Sequence, residues 1–284
     1  MTCAWKELLA ILPVWLSKEV DSFQNDCLQE LRLRLGQPPQ LILKEKALWL
    51  VKPVSAEDLS FCVNTASRYS PWAAQTTAYG YLTATGGHRI GLCGDAVLQH
   101  RNMTGIRTIR SLCIRVARDF PGIAQKYSRL TGSILIIGPP GSGKTTFLRD
   151  LLRQFSMHQT VAVADERCEL FPDGLFSRGK ALDVLSGCPK AQAIDALLRT
   201  MGPETLAMDE ITAQEDCEAL LQAGWCGVRL VATAHAATIS DLRTRALYRP
   251  LLDANLIRQI MVLRRDKTLH EERLTIKSQA PIEG

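Results

Sequence analysis

Residues 138–145 combine the residue types that bind nucleotide phosphates. Three glycines, Gly138, Gly141 and Gly143, allow the backbone to pass close to phosphate oxygens. The loop follows the apolar run at 134–137 and precedes an amphipathic helical pattern, which is the strand–loop–helix order that a P-loop requires. The sequence therefore predicts a cradle for a nucleoside triphosphate. Its predicted cofactor-binding residues are Gly138, Pro139, Pro140, Gly141, Ser142, Gly143, Lys144, Thr145 and Thr146.

Residue types in and after this loop also predict a magnesium site. Lys144 would reach the β- and γ-phosphates of ATP, and the Thr145 hydroxyl would ligate Mg²⁺. Further along the chain, the apolar residues 205–208 end in paired carboxylates. Asp209 is predicted to hold the metal, and Glu210 to polarise the attacking water. The predicted cofactors are thus ATP and Mg²⁺, with Thr145 and Asp209 as metal ligands.

Two other strand ends carry candidate catalytic residues. Glu166 follows the strand-like run at 161–164 and is a second candidate for orienting water, with a local ion pair to Arg167 as the alternative. His235 ends the run at 228–233 and could read the γ-phosphate, with a structural role as the alternative. Because parallel strands present their carboxyl ends to one crevice, we expect these side chains and the P-loop to converge.

Several arginines are candidates for action across a subunit interface. In a ring, such a residue would enter the neighbour's γ-phosphate site as an arginine finger. The alternative is ordinary surface charge, and the sequence does not choose among the candidates. They are Arg107, Arg110, Arg115, Arg118 and, before the second acidic motif, Arg199.

The first part of the chain is predicted to be α+β. Residues 28–51 alternate apolar and charged positions like strands around a turn, and a helix is predicted from Ser55. A second helical segment at 71–79 follows. Short strands are then predicted at 80–85, 89–92 and 96–98, separated by glycine turns at 86–87 and 94–95.

After residue 132 the pattern changes to strand-like runs that alternate with helical segments. This alternation predicts an α/β fold, in which a parallel sheet is covered by helices on both faces. We place the linker in the stretch 119–132 and predict an N-terminal domain at 1–128 and an ATPase domain at 129–284. The predicted strands lie at 134–137, 161–164, 205–208, 228–233 and 260–263.

Composition places the 284 residues among globular proteins, with 46% hydrophobic and 22% charged residues and a net charge of +5. The nine cysteines form no Cys-x-x-Cys pair, which favours a reducing compartment and predicts no structural zinc. The apolar run at 8–16 is broken by Pro13 and predicts an amphipathic helix rather than a signal peptide. We therefore expect a cytoplasmic protein whose membrane role, if it has one, is peripheral.

Several motifs together resemble the family of stage III sporulation AA proteins, which belongs with the type II/IV secretion and pilus ATPases of the AAA+/RecA-like P-loop superfamily. The resemblance implies a RecA-like P-loop core behind a smaller N-terminal α+β domain, and a homo-oligomer in the form of a hexameric ring. It also implies ATP hydrolysis that energises a mother-cell to forespore channel during endospore formation, with membrane proteins of that channel as partners. The motifs lie at 31–39, 86–92, 138–146, 164–167, 183–190 and 208–211.

The resemblance also implies roles for the acidic pair at 165–166 and for His235. Relatives commonly carry Gly-Glu where this chain has Asp209 and Glu210, which leaves open whether Glu166 or Glu210 is the main water-positioning residue. The alternative functions are a nucleotide-dependent nucleic-acid-binding protein and a scaffold that binds ATP without turnover. The basic stretch at 101–118 is followed by the single aromatic Phe120, so we expect no specific nucleic acid partner.

Overall fold

The computed structural model describes residues 2–23, 28–44, 46–67, 80–100, 102–172 and 176–273, which form two compact units. The first comprises Met1–Asp119 with Pro172–Phe176, and the second comprises Phe120–Phe171 with Ser177–Gly284. The units divide inside the stretch where the sequence predicts the linker. Whether an independently folding domain ends at residue 128 stays a prediction. The predicted helix at 71–79 lies outside the described residues.

The first unit is α+β, as predicted. Among its described residues, a six-stranded sheet has the order β4-β3-β2-β7-β6-β5, and β1 pairs with β8. Its helices are Trp5–Ala10, Val14–Asp21 and Ala56–Ser67, with a 3-10 turn at Thr85–Gly87. Its strands are β1 (Thr2–Cys3), β2 (Leu28–Arg34), β3 (Gln40–Leu43), β4 (Ala47–Trp49), β5 (Tyr81–Thr83), β6 (Arg89–Gln99), β7 (Asn102–Arg115) and β8 (Arg118–Asp119).

Sequence periodicity explains the core of this unit. In β2, Leu31 and Leu33 are fully buried, because alternate residues of a strand face the same side of the sheet. The helix Ala56–Ser67 buries Leu59 and Cys62, which are three residues apart and therefore share one helix face. A capping box starts this helix: the Asp58 amide donates to Ser55 Oγ, and the Ser55 amide donates to the Asp58 carboxylate.

The predicted turn at 94–95 is wrong, because β6 runs through these residues without a break. Gly94 is required there for a different reason: a Cβ atom at this position would lie 1.8 Å from the Thr108 carbonyl oxygen on the neighbouring strand. The pairing of β6 with β7 shifts register between Cys93 and Gly94 and again between Asp95 and Ala96. The glycine therefore allows two backbones to approach closely at a bulge. From the sequence alone, a glycine at a bulge cannot be distinguished from a glycine in a turn.

His88 connects the N-terminal segment to the strands of the first unit. Its imidazole is fully buried, Nε2 lies 2.8 Å from the Ala4 carbonyl oxygen, and Nδ1 accepts from the Ala117 amide at 3.1 Å. Since Nδ1 accepts, Nε2 must carry the proton and the ring must be neutral. Gly86 lies beside it, and a Cβ there would be 2.4 Å from the Ala4 Cβ. Packing and hydrogen bonding within this unit thus explain Gly86 and His88 of the motif at 86–92.

The second unit has a mostly parallel sheet. Among its described residues, seven strands follow the order β11-β10-β12-β13-β9-β14-β15, and only the last pair is antiparallel. Its helices are Lys144–Phe155, Lys190–Thr200, Gln214–Trp225, Ile239–Thr244 and Arg249–Asp253. Its strands are β9 (Ser133–Ile137), β10 (Val161–Asp165), β11 (Leu182–Ser186), β12 (Thr205–Met208), β13 (Arg229–Ala234), β14 (Ile257–Leu263) and β15 (Leu269–Arg273).

Helices cover both faces of this sheet, which confirms the α/β prediction. In β9, Leu135 and Ile137 pack with the helices Lys190–Thr200 and Gln214–Trp225, while the alternate residues pack with the helix Lys144–Phe155. The strand is buried along its whole length because both of its faces are covered. The sequence did not predict β11 and β15, two short strands with polar positions.

Buried polar side chains fix the helix Lys144–Phe155 to neighbouring loops. The Asp150 carboxylate is fully buried and accepts from the Gly122 and Ala124 amides, and Arg153 pairs with it at 2.7 Å. Arg149 donates to the Leu170 and Glu169 carbonyl oxygens. These bonds satisfy charges that would otherwise be costly to bury, and they hold the helix that begins at the P-loop.

We expect the stability of the first unit to fall below about pH 6.5 because of His88. Burial lowers the pKa of this imidazole from its ordinary 6.5, so at lower pH the unfolded chain binds a proton that the folded chain does not. The free energy of unfolding should then fall by up to about 1.4 kcal/mol per pH unit from this group. Urea unfolding followed by tryptophan fluorescence at pH 7.5 and 5.5 measures this loss.

His88→Gln should unfold more readily at pH 7.5 and should show a smaller loss between the two pH values. The matched control is His158→Gln, at an exposed position of the second unit. An unchanged pH dependence in His88→Gln would contradict the assignment.

Candidate nucleotide-binding site

The loop at 138–143 connects β9 to the helix Lys144–Phe155 and presents the N-terminus of that helix. Gly141 and Gly143 have φ values of 74° and 101°, in the left-handed region that favours glycine. Among the described residues no side chain caps the first turn of the helix, so its amide groups and the positive end of its dipole are left for an anion. The loop thus has the conformation that a phosphate cradle requires, and phosphate binding stays a prediction.

The loop has little room for a larger residue at Gly138. A Cβ atom at Gly138 would lie 2.3 Å from the Leu263 carbonyl oxygen and 2.6 Å from Ser142 Oγ. The Ser142 hydroxyl is buried and has no hydrogen-bond partner among the described residues. A buried polar atom without a partner is costly, and a phosphate oxygen would satisfy it. These observations fit the residues of the loop to a nucleotide.

Lys144 is held inside the site by three acceptors. Its ammonium donates to the Gly138 carbonyl oxygen at 2.9 Å and to the Pro139 carbonyl oxygen at 3.3 Å, and it lies 3.0 Å from His235 Nδ1. Burial lowers the pKa of this lysine from its ordinary value. An ammonium has three donors, so these partners occupy all of them.

Asp209 connects the P-loop helix to the central strands. Its carboxylate accepts from Thr145 Oγ1 at 2.8 Å and from Thr233 Oγ1 at 2.9 Å. The two predicted metal ligands therefore lie within hydrogen-bond distance of each other. Hydroxyl and carboxylate oxygens suit Mg²⁺, and a cation at this point would replace the bond between Thr145 and Asp209.

Glu210 and His235 form a hydrogen-bonding contact at the same edge of the sheet. His235 Nε2 lies 2.8 Å from Glu210 Oε1, and both side chains are about one-third exposed. The two nitrogens of His235 thus connect Glu210 to Lys144. The Glu210 backbone has a φ of 21°, which is uncommon for a residue other than glycine and marks a constrained position.

The acidic pair at 165–166 separates into two environments. The Asp165 carboxylate is buried and accepts from the amides of residues 169–171, and burial raises its pKa. Glu166 is more open, with its side chain 40% exposed and its Oε2 3.7 Å from Lys190 Nζ. Asp165 therefore supports the loop that follows β10, and Glu166 remains able to reach a ligand.

Three candidate arginines pair with carboxylates of their own unit. Arg110 pairs with Asp95 at 3.0 Å, Arg115 with Glu30 at 3.4 Å, and Arg199 with Asp195 at 2.9 Å.

The remaining two candidate arginines lie in different environments. Arg118 donates to the Leu28 carbonyl oxygen. Arg107 is exposed on the β6–β7 hairpin. Arg107, Arg110, Arg115 and Arg118 lie in the first unit, whereas Arg199 lies in the same unit as the P-loop, on the helix Lys190–Thr200.

Sequence reasoning missed two lysines at the site. Lys267, in the turn between β14 and β15, donates to the Gly141 carbonyl oxygen of the P-loop. Lys190 begins the helix Lys190–Thr200 and contacts the segment that follows Asp209. If β15 had been predicted, the turn between β14 and β15, which carries Lys267, would have been placed beside the P-loop. The motif at 183–190 was visible in the sequence, but its spacing indicated no chemistry.

The parallel sheet, the glycine loop and the acidic strand end define a P-loop nucleotide-binding protein with a RecA-like core. The model of the family described as "Sporulation stage III, protein AA" matches residues 6–275. The chain is 35% identical over 258 residues to Stage III sporulation protein AA of Bacillus subtilis (strain 168), which covers 84% of this chain and 83% of that protein. The chain therefore belongs to the sporulation stage III protein AA family, and the resemblance seen in the sequence is confirmed.

Solved structures support the fold. The Legionella pneumophila ATPase DotB has a TM-score of 0.59 and 18% identity, with 92% of this chain and 80% of that chain covered. The pilus retraction motor PilT, solved with bound ADP, has a TM-score of 0.59 and 13% identity, with 86% and 76% covered. At these identities the likeness shows the architecture alone. Among the described residues, no helix has the length and apolar character needed to cross a bilayer.

Gly138→Ala should weaken ATP binding, since its Cβ would collide with backbone at Leu263. We expect the dissociation constant for ATP to rise at least about 10-fold, because the loop must move away from its cradle conformation. Calorimetric titration with ATP and Mg²⁺ measures the change. The matched control is Gly105→Ala, where an added Cβ meets no atom within 4 Å. Equal affinities for Gly138→Ala and the unmodified chain would contradict the cradle.

Proposed function

We propose that this chain binds ATP with Mg²⁺ and hydrolyses it to ADP and phosphate. The observation that carries the proposal is the hydrogen-bonded cluster at the carboxyl edge of the sheet. It joins the phosphate-loop lysine, Lys144, to His235 and Glu210, while Asp209 binds the neighbouring Thr145. Phosphoryl transfer to water depends on positioning and charge stabilisation, and this cluster supplies groups for both.

Nucleotide binding would rearrange Lys144 first. Its three donors are occupied by the Gly138 and Pro139 carbonyl oxygens and by His235, and phosphate oxygens are stronger acceptors because they are charged. Lys144 would then turn toward the β- and γ-phosphates and leave His235 Nδ1. His235 would sense the γ-phosphate through this exchange of partners.

Glu210 would act on the attacking water. Its carboxylate is held by His235 at 2.8 Å, so a change at His235 reaches Glu210 directly. A carboxylate freed from this contact can accept a hydrogen bond from water and orient it for attack. Glu166, at the end of the adjacent β10, is the second candidate for this role. Thr145 and Asp209 would hold Mg²⁺, whose charge would offset the negative charge that develops on the phosphate oxygens.

The broader role proposed is that of a motor. Membership of the sporulation family and the fold shared with DotB and PilT support a secretion-type ATPase. We infer a homo-oligomeric ring, a hexamer, that works from the cytoplasm with membrane proteins of a mother-cell to forespore channel. Arg107, which is exposed on its hairpin, is one candidate for reaching the nucleotide of a neighbouring subunit.

The rate of ATP hydrolysis should depend on oligomerisation and on the hydrogen-bonded cluster of Lys144, His235 and Glu210. We expect ATPase activity per subunit to rise with protein concentration in parallel with the appearance of the oligomer. Lys144→Ala should lose ATP binding, while Glu210→Gln should bind ATP and lower kcat by about 100-fold, since it removes a general base. Phosphate release measured beside light scattering, with and without Mg²⁺, tests these outcomes.

The matched control is Lys180→Ala, at an exposed position of the same unit. It should hydrolyse ATP like the unmodified chain. A larger loss in Glu166→Gln than in Glu210→Gln would assign the water to Glu166 instead. Tight ATP binding without turnover at any oligomer size would contradict the proposed activity, and turnover stimulated by DNA would favour the nucleic-acid alternative.

A further inference from the structure

Lys190 is a buried lysine at the end of the family motif 183–190. The residue is only 8% exposed, and its ammonium donates to the Glu210 carbonyl oxygen and to Thr212 Oγ1, both at 2.8 Å. Its third oxygen contact is Asp216 Oδ2 at 3.0 Å. These three contacts match the three donors of an ammonium, which makes its position well defined.

The need to pair a buried charge explains part of this arrangement. Asp216 also accepts from the Thr212 and Ala213 amides, so it starts the helix Gln214–Trp225 and neutralises Lys190. That function requires a cation beside Asp216 and nothing more. It does not account for the hydrogen bond from Lys190 to the carbonyl oxygen of Glu210, the residue after the predicted metal ligand Asp209.

The backbone of Glu210 is held from both ends. Its amide donates to Asp209 Oδ1 and to Thr233 Oγ1, each at 3.0 Å. Its carbonyl oxygen accepts from Lys190. The φ of 21° is unfavourable for glutamate and persists only where surrounding contacts enforce it. Lys190 is one of those contacts, and it sets the direction from which the Glu210 side chain enters the site.

Lys190 also faces the other candidate carboxylate. Glu166 Oε2 lies 3.7 Å from the ammonium, which is close enough for charge attraction and beyond a good hydrogen bond. One buried cation thus contacts the backbone of Glu210 and attracts the side chain of Glu166. Glu210 follows β12 and Glu166 follows β10, and these two strands are paired. The lysine therefore lies beside both strand ends, between which the attacking water would be placed.

We propose that Lys190 is a positioning residue for ATP hydrolysis, which holds Glu210 in its constrained conformation and orients Glu166 by charge. The inference rests on the proposed hydrolysis and adds a residue to it. It assigns to the motif 183–190 a function in turnover, distinct from nucleotide binding, because Lys190 contacts neither the P-loop nor Thr145 among its described contacts.

The test separates kcat from binding. Lys190→Met should lower kcat by about 10-fold or more, since misplacing a water-positioning group costs turnover rather than affinity. The dissociation constant for ADP with Mg²⁺ should stay within about 3-fold of the unmodified chain, because Lys190 does not touch the P-loop. Lys190→Arg keeps the charge and donors and should recover part of kcat.

Double variants show which carboxylate Lys190 acts through. If it acts through Glu210, then Lys190→Met should have little further effect on kcat in a Glu210→Gln background, while its effect should persist in Glu166→Gln. A full effect in both backgrounds would contradict positioning and indicate a general structural loss.

Removing Lys190 alone leaves Asp216 buried without its cation, so a folding control is needed. Lys190→Met combined with Asp216→Asn removes both charges and should recover thermal stability without recovering kcat. Lys180→Met, at an exposed site, is the matched single control and should keep normal turnover.

The outcomes distinguish the two proposals. An unmodified chain that binds ATP and never hydrolyses it contradicts the proposed function and this inference together. An unmodified chain that hydrolyses ATP, beside a folded Lys190→Met chain of equal kcat, contradicts the role of Lys190 alone. Recovery of kcat by the charge-free double variant would also overturn it, since stability would then explain the whole effect.

Discussion

The hydrogen bonds of Asp209 hold the proposed active site together. One oxygen of its carboxylate accepts from Thr145 at the start of the P-loop helix, and the other accepts from Thr233 in the neighbouring strand and from the Glu210 amide. Two segments distant in sequence, those of Thr145 and Thr233, are therefore fixed to the carboxylate of Asp209. A metal bound at Thr145 would leave the contacts of Asp209 with Thr233 and Glu210 in place. These hydrogen bonds would therefore keep the residues of the site in position while a ligand binds or leaves.

Strand direction explains why these residues meet. β9, β12 and β13 run parallel and in register, so Ile137 lies beside Ala234, and Met208 beside Ala232. The residues that follow each strand then emerge at one edge of the sheet, where the helix N-terminus adds positive potential. His235 links the lysine of one segment to the glutamate of another, which makes the edge a connected network in which a change at one residue reaches the next.

Much of this arrangement was predictable because it depends on local sequence. Glycines that require left-handed φ, apolar runs and acidic strand ends indicate the P-loop, the parallel sheet and the convergence of Lys144, Asp209 and His235.

The features that the sequence did not predict depend on contacts between residues distant in sequence. Gly94 lies against the Thr108 backbone of the neighbouring strand and does not form a turn. The role of Lys190 was not predicted because an isolated lysine at the start of a helix usually indicates surface charge, whereas here it contacts Glu210. Lys267 depended on a short strand, β15, whose pairing partner had to be known first.

A structure of the chain bound to a non-hydrolysable ATP analogue with Mg²⁺ tests the central claim most directly. The account predicts that Lys144 Nζ contacts the β- and γ-phosphates and moves beyond hydrogen-bond distance of His235 Nδ1, from which it lies 3.0 Å away in the structure described above. It also predicts the metal between Thr145 and Asp209. Phosphates bound away from the loop at 138–145, or an unbroken contact between Lys144 and His235 beside a bound γ-phosphate, would contradict it.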